Sequence, residues 1–223
     1  MNRVAVYLND YATALGMLAA SVRHRGADAR YHDGHLAPVM LLPGVYETWT
    51  FLRPLAERLH ASGHPVHVVR GLGNNSRPIA VSAEIAQRYL DETGLTNVVL
   101  VAHSKGGLIG KHMMLVNDHD HRINKLIAIA TPFGGSRYAR YMVDPSLRAF
   151  RPGSKTLSML AANAIANSRI TSLYSEWDTH VPEGCRLEGA TNVEFPVQGH
   201  FTILADERVL RAVDAALDPP ASV

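Results

Sequence analysis

The 223-residue sequence has only one cysteine, Cys185. A single cysteine excludes a disulfide framework and a zinc site built on cysteine pairs. No apolar run reaches the roughly 18 residues that a membrane span requires. The net charge is only +2, because 22 Lys and Arg are scattered among 20 Asp and Glu, and nothing therefore favours nucleic-acid binding. With no internal repeat or low-complexity segment, the sequence predicts one soluble globular domain.

The first 37 residues are interpreted as a helical extension and not as a secretory signal. Asn9 and Asp10 interrupt the apolar stretch, and the basic residues 23–25 follow it where a small-residue cleavage site would stand. Apolar residues recur at helical spacing, namely Leu8, Tyr11, Leu15, Leu18 and Val22. We expect this stripe to pack on the core in preference to a membrane or a partner. Without a signal, the expected location is the cytoplasm of a bacterial-type cell.

Residues 38–223 show the alternation of strands and helices that is typical of an α/β fold. Six segments are predicted as strands: 38–45, 65–69, 97–102, 125–130, 170–175 and 192–195. Helices are predicted from Thr50 to His60, from Pro78 until Gly94 ends it, after the third strand, and over 206–217. The pattern predicts a mostly parallel six-stranded sheet with helices on both faces.

A long insert at about 133–168 separates the fourth and fifth strands. It is rich in apolar and aromatic side chains. Two interpretations stay open: the insert forms a small cap or acyl groove, or it only covers the sheet. Ligands of such sheets bind beyond the carboxyl ends of the strands, where the candidate site is expected.

A candidate nucleophile follows the third strand in the segment VAHSKGG (101–107). Ser104 lies at the turn into a helix, with Ala102 two residues before it and Gly106 two residues after it. A turn this sharp requires small residues at both positions, and it exposes the serine hydroxyl above the sheet. We expect the adjacent His103 to pack internally and to bond a backbone group, and the side chain of Lys105 to point to solvent.

A serine nucleophile needs a histidine base that is oriented by a carboxylate. In this arrangement the acid and then the histidine follow the serine along the chain, each after a later strand. His200 follows the sixth strand and is predicted as the base. Asp178 follows the fifth strand and is predicted as the acid, although Glu176 and Glu183 are close by; His180 shares that loop.

Acyl transfer also needs N–H donors for the oxyanion. The turn supplies the backbone N–H of Lys105. The loop after the first strand, LLPGVYETW (41–49), supplies the backbone N–H of Val45 next to Gly44. The expected substrate-binding residues are Tyr46 in this loop, and Phe133 and Tyr138 in the insert.

These segments resemble an α/β-hydrolase of the lipase/esterase superfamily, in particular the small bacterial lipases of the Bacillus type. The similar segments are LDETGLTNVVLVAHSKGG (90–107), TPFGGS (131–136), SLYSEWDTHV (172–181) and RLEGATNVEFPVQGHFTIL (186–204). The resemblance spans about residues 38–217. It implies the same assignment: Ser104 as nucleophile, His200 as base, Asp178 as acid, and two amide donors.

The sequence departs from these relatives in several places. Pro43 stands where many have a histidine, Phe133 replaces the histidine of a TPH run, and the first 37 residues have no counterpart. The Bacillus enzymes are secreted, whereas no signal is found here.

The expected function is hydrolysis of short- to medium-chain acyl esters by a serine esterase or lipase, without a cofactor or metal. The small-molecule ester is the expected partner, with possible contact to a lipid interface and no nucleic acid; the sequence leaves the oligomeric state open. Alternatives are a thioesterase or acyltransferase with the same triad, and a non-catalytic ligand-binding protein. The clusters DHDH (118–121) and Asp33 with His35 are interpreted as solvated loops and not as metal sites.

Overall fold

The computed structural model describes residues 2–23 and 28–217, with side-chain surroundings for 2–19 and 29–217. Its centre is a sheet of six strands, β1 (Val39–Leu42), β2 (Val66–Val68), β3 (Val98–His103), β4 (Ile123–Ile129), β5 (Ile170–Trp177) and β6 (Thr191–Gln198). They lie in the order β2-β1-β3-β4-β5-β6, and every neighbouring pair is parallel. The predicted fold class is confirmed.

Seven α-helices accompany the sheet in the described residues: α1 (Arg3–Arg23), α2 (Arg53–Ala61), α3 (Ile79–Thr93), α4 (Lys105–His112), α5 (Pro145–Arg148), α6 (Lys155–Ala162) and α7 (Glu207–Leu217). Gly94 ends α3 in the left-handed conformation at φ 64°, as predicted. The predicted start of α2 is wrong: Thr50 lies in a 3-10 turn, and α2 begins at Arg53 with Pro54 in its first turn. Proline fits there because the first N–H groups of a helix have no intrahelical partner.

The core forms two layers because successive strand residues point to opposite faces. Met40 and Leu42 of β1 face the layer under α3, α4 and α6. Val39 and Leu41 face the layer under α2 and α7. All four are fully buried, which explains why β1 is a continuous apolar run.

The two halves of the insert fit different interpretations: one half covers the sheet, and the other borders a cavity. Its second half covers the sheet, because Leu157 and Leu160 of α6 are buried in the core layer beside α3 and α4. Its first half contains a 3-10 turn (Arg137–Arg140) and α5, and it borders a cavity at the carboxyl edge of the sheet.

The expectation for the N-terminal stripe is wrong. The helix forms, but Leu8, Tyr11, Leu15 and Leu18 are between 48% and 69% exposed; the side chain of Val22 lies outside the described part. The helix turns a different face inward, with Val6 and Asp10 buried and Met17 packed on the core. α1 thereby contacts the 3-10 turns that follow β1 and His200.

Among the described residues, no helix is both long and apolar enough to cross a membrane.

Candidate active site

Ser104 lies in a strained turn between β3 and α4. Its φ of 51° and ψ of −118° are unfavourable for a residue with a Cβ, and such strain clusters at functional sites. The Ser104 N–H donates to the carbonyl oxygen of Ile129 at 2.8 Å, which ties the turn to the end of β4.

The two glycines after Ser104 allow this close packing. A Cβ on Gly106 would lie 2.0 Å from the carbonyl oxygen of Leu42, and one on Gly107 would lie 2.1 Å from Oγ1 of Thr131. Only glycine therefore fits at either position with the surrounding backbone and side chains in place.

The structure brings Ser104, His200 and Asp178 into one hydrogen-bonded series. Nε2 of His200 lies 2.9 Å from Oγ of Ser104, and Nδ1 lies 2.8 Å from Oδ2 of Asp178. The three follow β3, β6 and β5, so the carboxyl ends of three strands meet here. All three are buried.

Asp178 is the carboxylate that reaches the histidine, and the alternatives do not. Its Oδ1 also accepts the N–H groups of His180 and Val181 at 2.7 and 2.9 Å. Glu176 is exposed, and Glu183 pairs with Arg137.

The electrostatics favour an ionised Asp178 beside a basic His200. Burial opposes ionisation of Asp178, but the charge and hydrogen bond of His200 and the two N–H donors outweigh it and lower the pKa of Asp178 to about 2. Burial would lower the pKa of His200, whereas Asp178 raises it, and the net pKa lies above 6.5.

The loop after β1 is fixed by a residue that sequence reasoning missed, Glu47. Its buried carboxylate accepts the Gly44 N–H at 2.7 Å and lies 2.8 Å from Nδ1 of His103. Nε2 of His103 lies 3.1 Å from the carbonyl oxygen of His200. The predicted packing of His103 and its backbone hydrogen bond are confirmed. The Gly44 N–H already donates to Glu47, whereas the Val45 N–H finds no acceptor within residues 2–23 and 28–217.

The expectation that the Lys105 side chain points to solvent is wrong. It is buried, and Nζ donates to the carbonyl oxygens of Asn75, at 2.6 Å, and Arg77. Burial lowers the pKa of Lys105 to about 8. Asn75, which sequence reasoning also missed, donates from Nδ2 to the carbonyl oxygen of Pro43 at 2.7 Å, so this network supports the loop after β1.

A cavity of about 670 Å³ opens beside Ser104 and His200. Side chains of α1, of the loop after β1 and of the insert line it, among them Tyr7, Tyr11, Val45, Tyr46, Tyr138 and Met142. Tyr46 and Tyr138 therefore lie where substrate-binding residues are expected, and the hydroxyl of Tyr46 donates to Asp144. Phe133 instead packs in the core layer and is absent from the cavity lining in the described residues.

Asp10 on α1 is the third residue that sequence reasoning missed. Its side chain is completely buried against the loop that carries His200. The sequence signal for Asp10 is a carboxylate within an apolar helix stripe, and the pattern alone marks it only as an interruption of that stripe.

The described residues contain one cluster with metal-ligating groups in reach, Asp178, His180 and His200. Both ring nitrogens of His200 already face Ser104 and Asp178, which favours proton transfer over ligation. Asp33 and His35 are exposed, as expected.

The expectation of a solvated loop is wrong for Asp118 of the DHDH segment. This residue is buried and accepts the N–H groups of Arg122 and Ile123 at 2.8 and 3.0 Å. The carboxylate thus fixes the turn that leads into β4.

A family model described as the alpha/beta hydrolase fold matches residues 37–155, more than half of the chain. The chain belongs to the α/β-hydrolase fold family.

Similar solved structures include lipases and other hydrolases. The mature lipase BlEst2 of Bacillus licheniformis is 15% identical, with a TM-score of 0.63 over 84% of this chain and 93% of that one. An extracellular α/β-hydrolase of a Paenibacillus species is 18% identical, with a TM-score of 0.57 over 79% and 96%. A monoacylglycerol lipase of Paleococcus ferrophilus is 15% identical, with a TM-score of 0.59 over 82% and 96%. At these identities the similarity shows the fold.

Proposed function

We propose that the protein is a serine carboxylic-ester hydrolase of the esterase/lipase class. The observation that carries the proposal is the series Ser104–His200–Asp178, hydrogen-bonded at 2.9 and 2.8 Å and open to an apolar-walled cavity. A serine hydroxyl is a weak nucleophile without such a base.

In the proposed reaction, Oγ of Ser104 attacks the ester carbonyl carbon while Nε2 of His200 takes its proton. Asp178 holds the imidazole tautomer and stabilises the imidazolium that forms. His200 then protonates the leaving alcohol, and an acyl-enzyme remains on Ser104. A water molecule, deprotonated by His200, cleaves the acyl-enzyme, and the proton returns to Ser104. No cofactor is needed for these steps.

The proposed oxyanion donors are the backbone N–H groups of Val45 and Lys105. Lys105 is the first residue of α4, so its N–H points out of the helix start toward any negative charge near Ser104. Val45 follows Gly44, whose position is fixed by Glu47. Donors held before the reaction begins lower the barrier because no reorganisation is required.

The proposed substrates are small-molecule esters of short- to medium-chain acids. The cavity next to Ser104 is walled by apolar side chains such as Ala14, Leu147 and Phe150, and its volume suits one chain of moderate length. The exposed side chains Leu15, Tyr141 and Val143 lie on the elements that wall the cavity, α1 and the insert. This apolar border supports contact with esters presented at a lipid interface.

The test is hydrolysis of p-nitrophenyl esters from C2 to C16, and of an emulsified triglyceride, by the wild type, Ser104→Ala and the exposed control Ser62→Ala. We expect turnover in the wild type and in Ser62→Ala, with a maximum at short or medium chains, and a loss of at least about 10³-fold in Ser104→Ala. Triglyceride turnover distinguishes a lipase from an esterase.

A fluorophosphonate probe separates the alternatives. Labelling of Ser104 with turnover of thioesters only would favour a thioesterase or acyltransferase. A wild type that neither takes the probe nor turns over any ester would contradict the proposal and favour a ligand-binding protein.

A further inference from the structure

Asp10 occupies an unusual position on α1. Several apolar side chains of this helix are exposed, yet the Asp10 carboxylate is 0% exposed. A buried carboxylate is costly unless hydrogen bonds compensate it. What surrounds Asp10 therefore explains why α1 packs with this face inward.

Five donors converge on this carboxylate. Oδ2 accepts the His200 N–H at 2.9 Å and the hydroxyl of Thr179. Oδ1 accepts the N–H groups of Phe201 and Thr202 at 2.8 and 2.9 Å and the Thr202 hydroxyl at 3.1 Å. Four of the five donors belong to the loop that carries His200, and the fifth lies next to Asp178.

The backbone of the His200 loop is shaped to admit the carboxylate. Gly199 has φ 123°, and a Cβ there would lie 2.5 Å from Oδ1 of Asp10. The peptide of His200 is then held on both sides, since Asp10 accepts its N–H and His103 lies at its carbonyl oxygen.

We propose that Asp10 is a positioning residue for the base, through which α1 holds the His200 backbone so that the imidazole meets both Ser104 and Asp178. This inference rests on the proposed hydrolase function. Asp10 touches neither substrate nor the reacting atoms, and it acts through the loop. An error of about 1 Å in such a loop is enough to cost about 10²-fold in rate.

The charge of Asp10 has a second, measurable consequence. The groups that face His200 from its neighbouring elements are Asp178, Asp10, Glu47, His103 and His180. The three carboxylates favour the imidazolium. The rings of His103 and His180 are centred 4.9 and 4.8 Å from the ring of His200. Removing the negative charge of Asp10 should therefore lower the pKa of His200.

The test is Asp10→Asn, which keeps the size of the side chain but places an NH₂ group against N–H donors whichever way the amide is turned. We expect kcat to fall by about 10- to 100-fold with KM within about threefold. In the pH profile of kcat/KM, the acid limb should move to lower pH by about 0.5 to 1 unit, because the imidazolium of His200 loses a stabilising negative charge. Asn9→Ala on the exposed side of the same helix, and Asp120→Asn at an exposed site before β4, should match the wild type.

The outcomes separate the two proposals. A wild type without Ser104-dependent turnover would overturn the hydrolase function and the role of Asp10 with it. An active wild type with Asp10→Asn unchanged in kcat and in its acid limb, even if less stable, would overturn the role of Asp10 alone. If Asp10→Asn does not fold, Thr202→Val tests the role of Asp10 instead. This variant keeps the Asp10 carboxylate and removes one of its five donors, the Thr202 hydroxyl. A lower kcat with an unmoved acid limb supports positioning, and a wild-type kcat contradicts it.

Discussion

Gly106 is the position at which the structure makes its sharpest stability prediction. A Cβ there would lie 2.0 Å from the carbonyl oxygen of Leu42, 2.7 Å from its carbonyl carbon and 3.0 Å from the carbonyl oxygen of Pro43. Each of these atoms is backbone at the end of β1, so no side chain can rotate away. In Gly106→Ala, β1 and the start of α4 must move apart by at least about 1 Å.

The magnitude follows from this geometry. Overpacking a core costs about 1–3 kcal/mol, and we expect about 3 kcal/mol because the contact is between two rigid elements. For a chain of this length, that loss lowers Tm by about 6 to 12 °C. The displaced elements carry Ser104 and the loop with Val45, so a fall in kcat of about 10²-fold is expected as well.

Thermal unfolding and ester turnover measure both effects, with Gly16→Ala as the matched control. Gly16 lies in α1, and a Cβ there meets no atom within 4 Å, so alanine should leave Tm unchanged or raise it through about 0.5–1 kcal/mol of helix stabilisation. Equal Tm and kcat in Gly106→Ala and the wild type would refute the reasoning.

Three further predictions concern pH, a buried lysine and chain length. kcat/KM should fall as the pH drops through the pKa of His200, which is raised above 6.5, since only the neutral ring accepts a proton. In a pH–rate profile, Asp178→Asn should lower kcat and move this acid limb to lower pH. Burial lowers the pKa of Lys111 from 10.5 to about 8, so the unfolded state binds more protons between these values and the free energy of unfolding rises with pH there. Denaturant titrations should show a smaller rise in Lys111→Met than in the wild type, because the buried Lys105, whose pKa is also lowered to about 8, still contributes. Ala14→Leu, in the cavity wall, should shift the ester preference toward shorter chains, whereas the exposed Ala12→Leu should not.

The sequence was sufficient to predict the sheet and the meeting of Ser104, Asp178 and His200, because both depend on local patterns. The central strands β1, β3 and β4 carry short apolar runs, and Ser104, Asp178 and His200 each follow the end of one strand. Parallel strands end at one edge, so Ser104, Asp178 and His200 had to meet once the order of strands was set. Their catalytic roles stay a prediction until activity is measured.

The orientation of α1 could not be predicted in the same way. Its apolar periodicity runs through Leu8 and Leu15, which are exposed, while the buried side carries Asp10. A hydrophobic pattern indicates only which face would bury the most apolar surface. Here the buried face of α1 is the one whose carboxylate, Asp10, accepts hydrogen bonds from five donors some 170 to 190 residues away. Glu47 was missed for the same reason, since its partner His103 is distant in sequence.

These buried groups bear on the predicted boundary at residue 37. Without α1, the N–H groups of His200, Phe201 and Thr202 would lose their common acceptor. Each donor left unsatisfied in a buried site costs about 1–3 kcal/mol, which is a large part of the free energy that stabilises a domain. The extension and the sheet should therefore unfold together, and α1 is a structural part of the candidate active site.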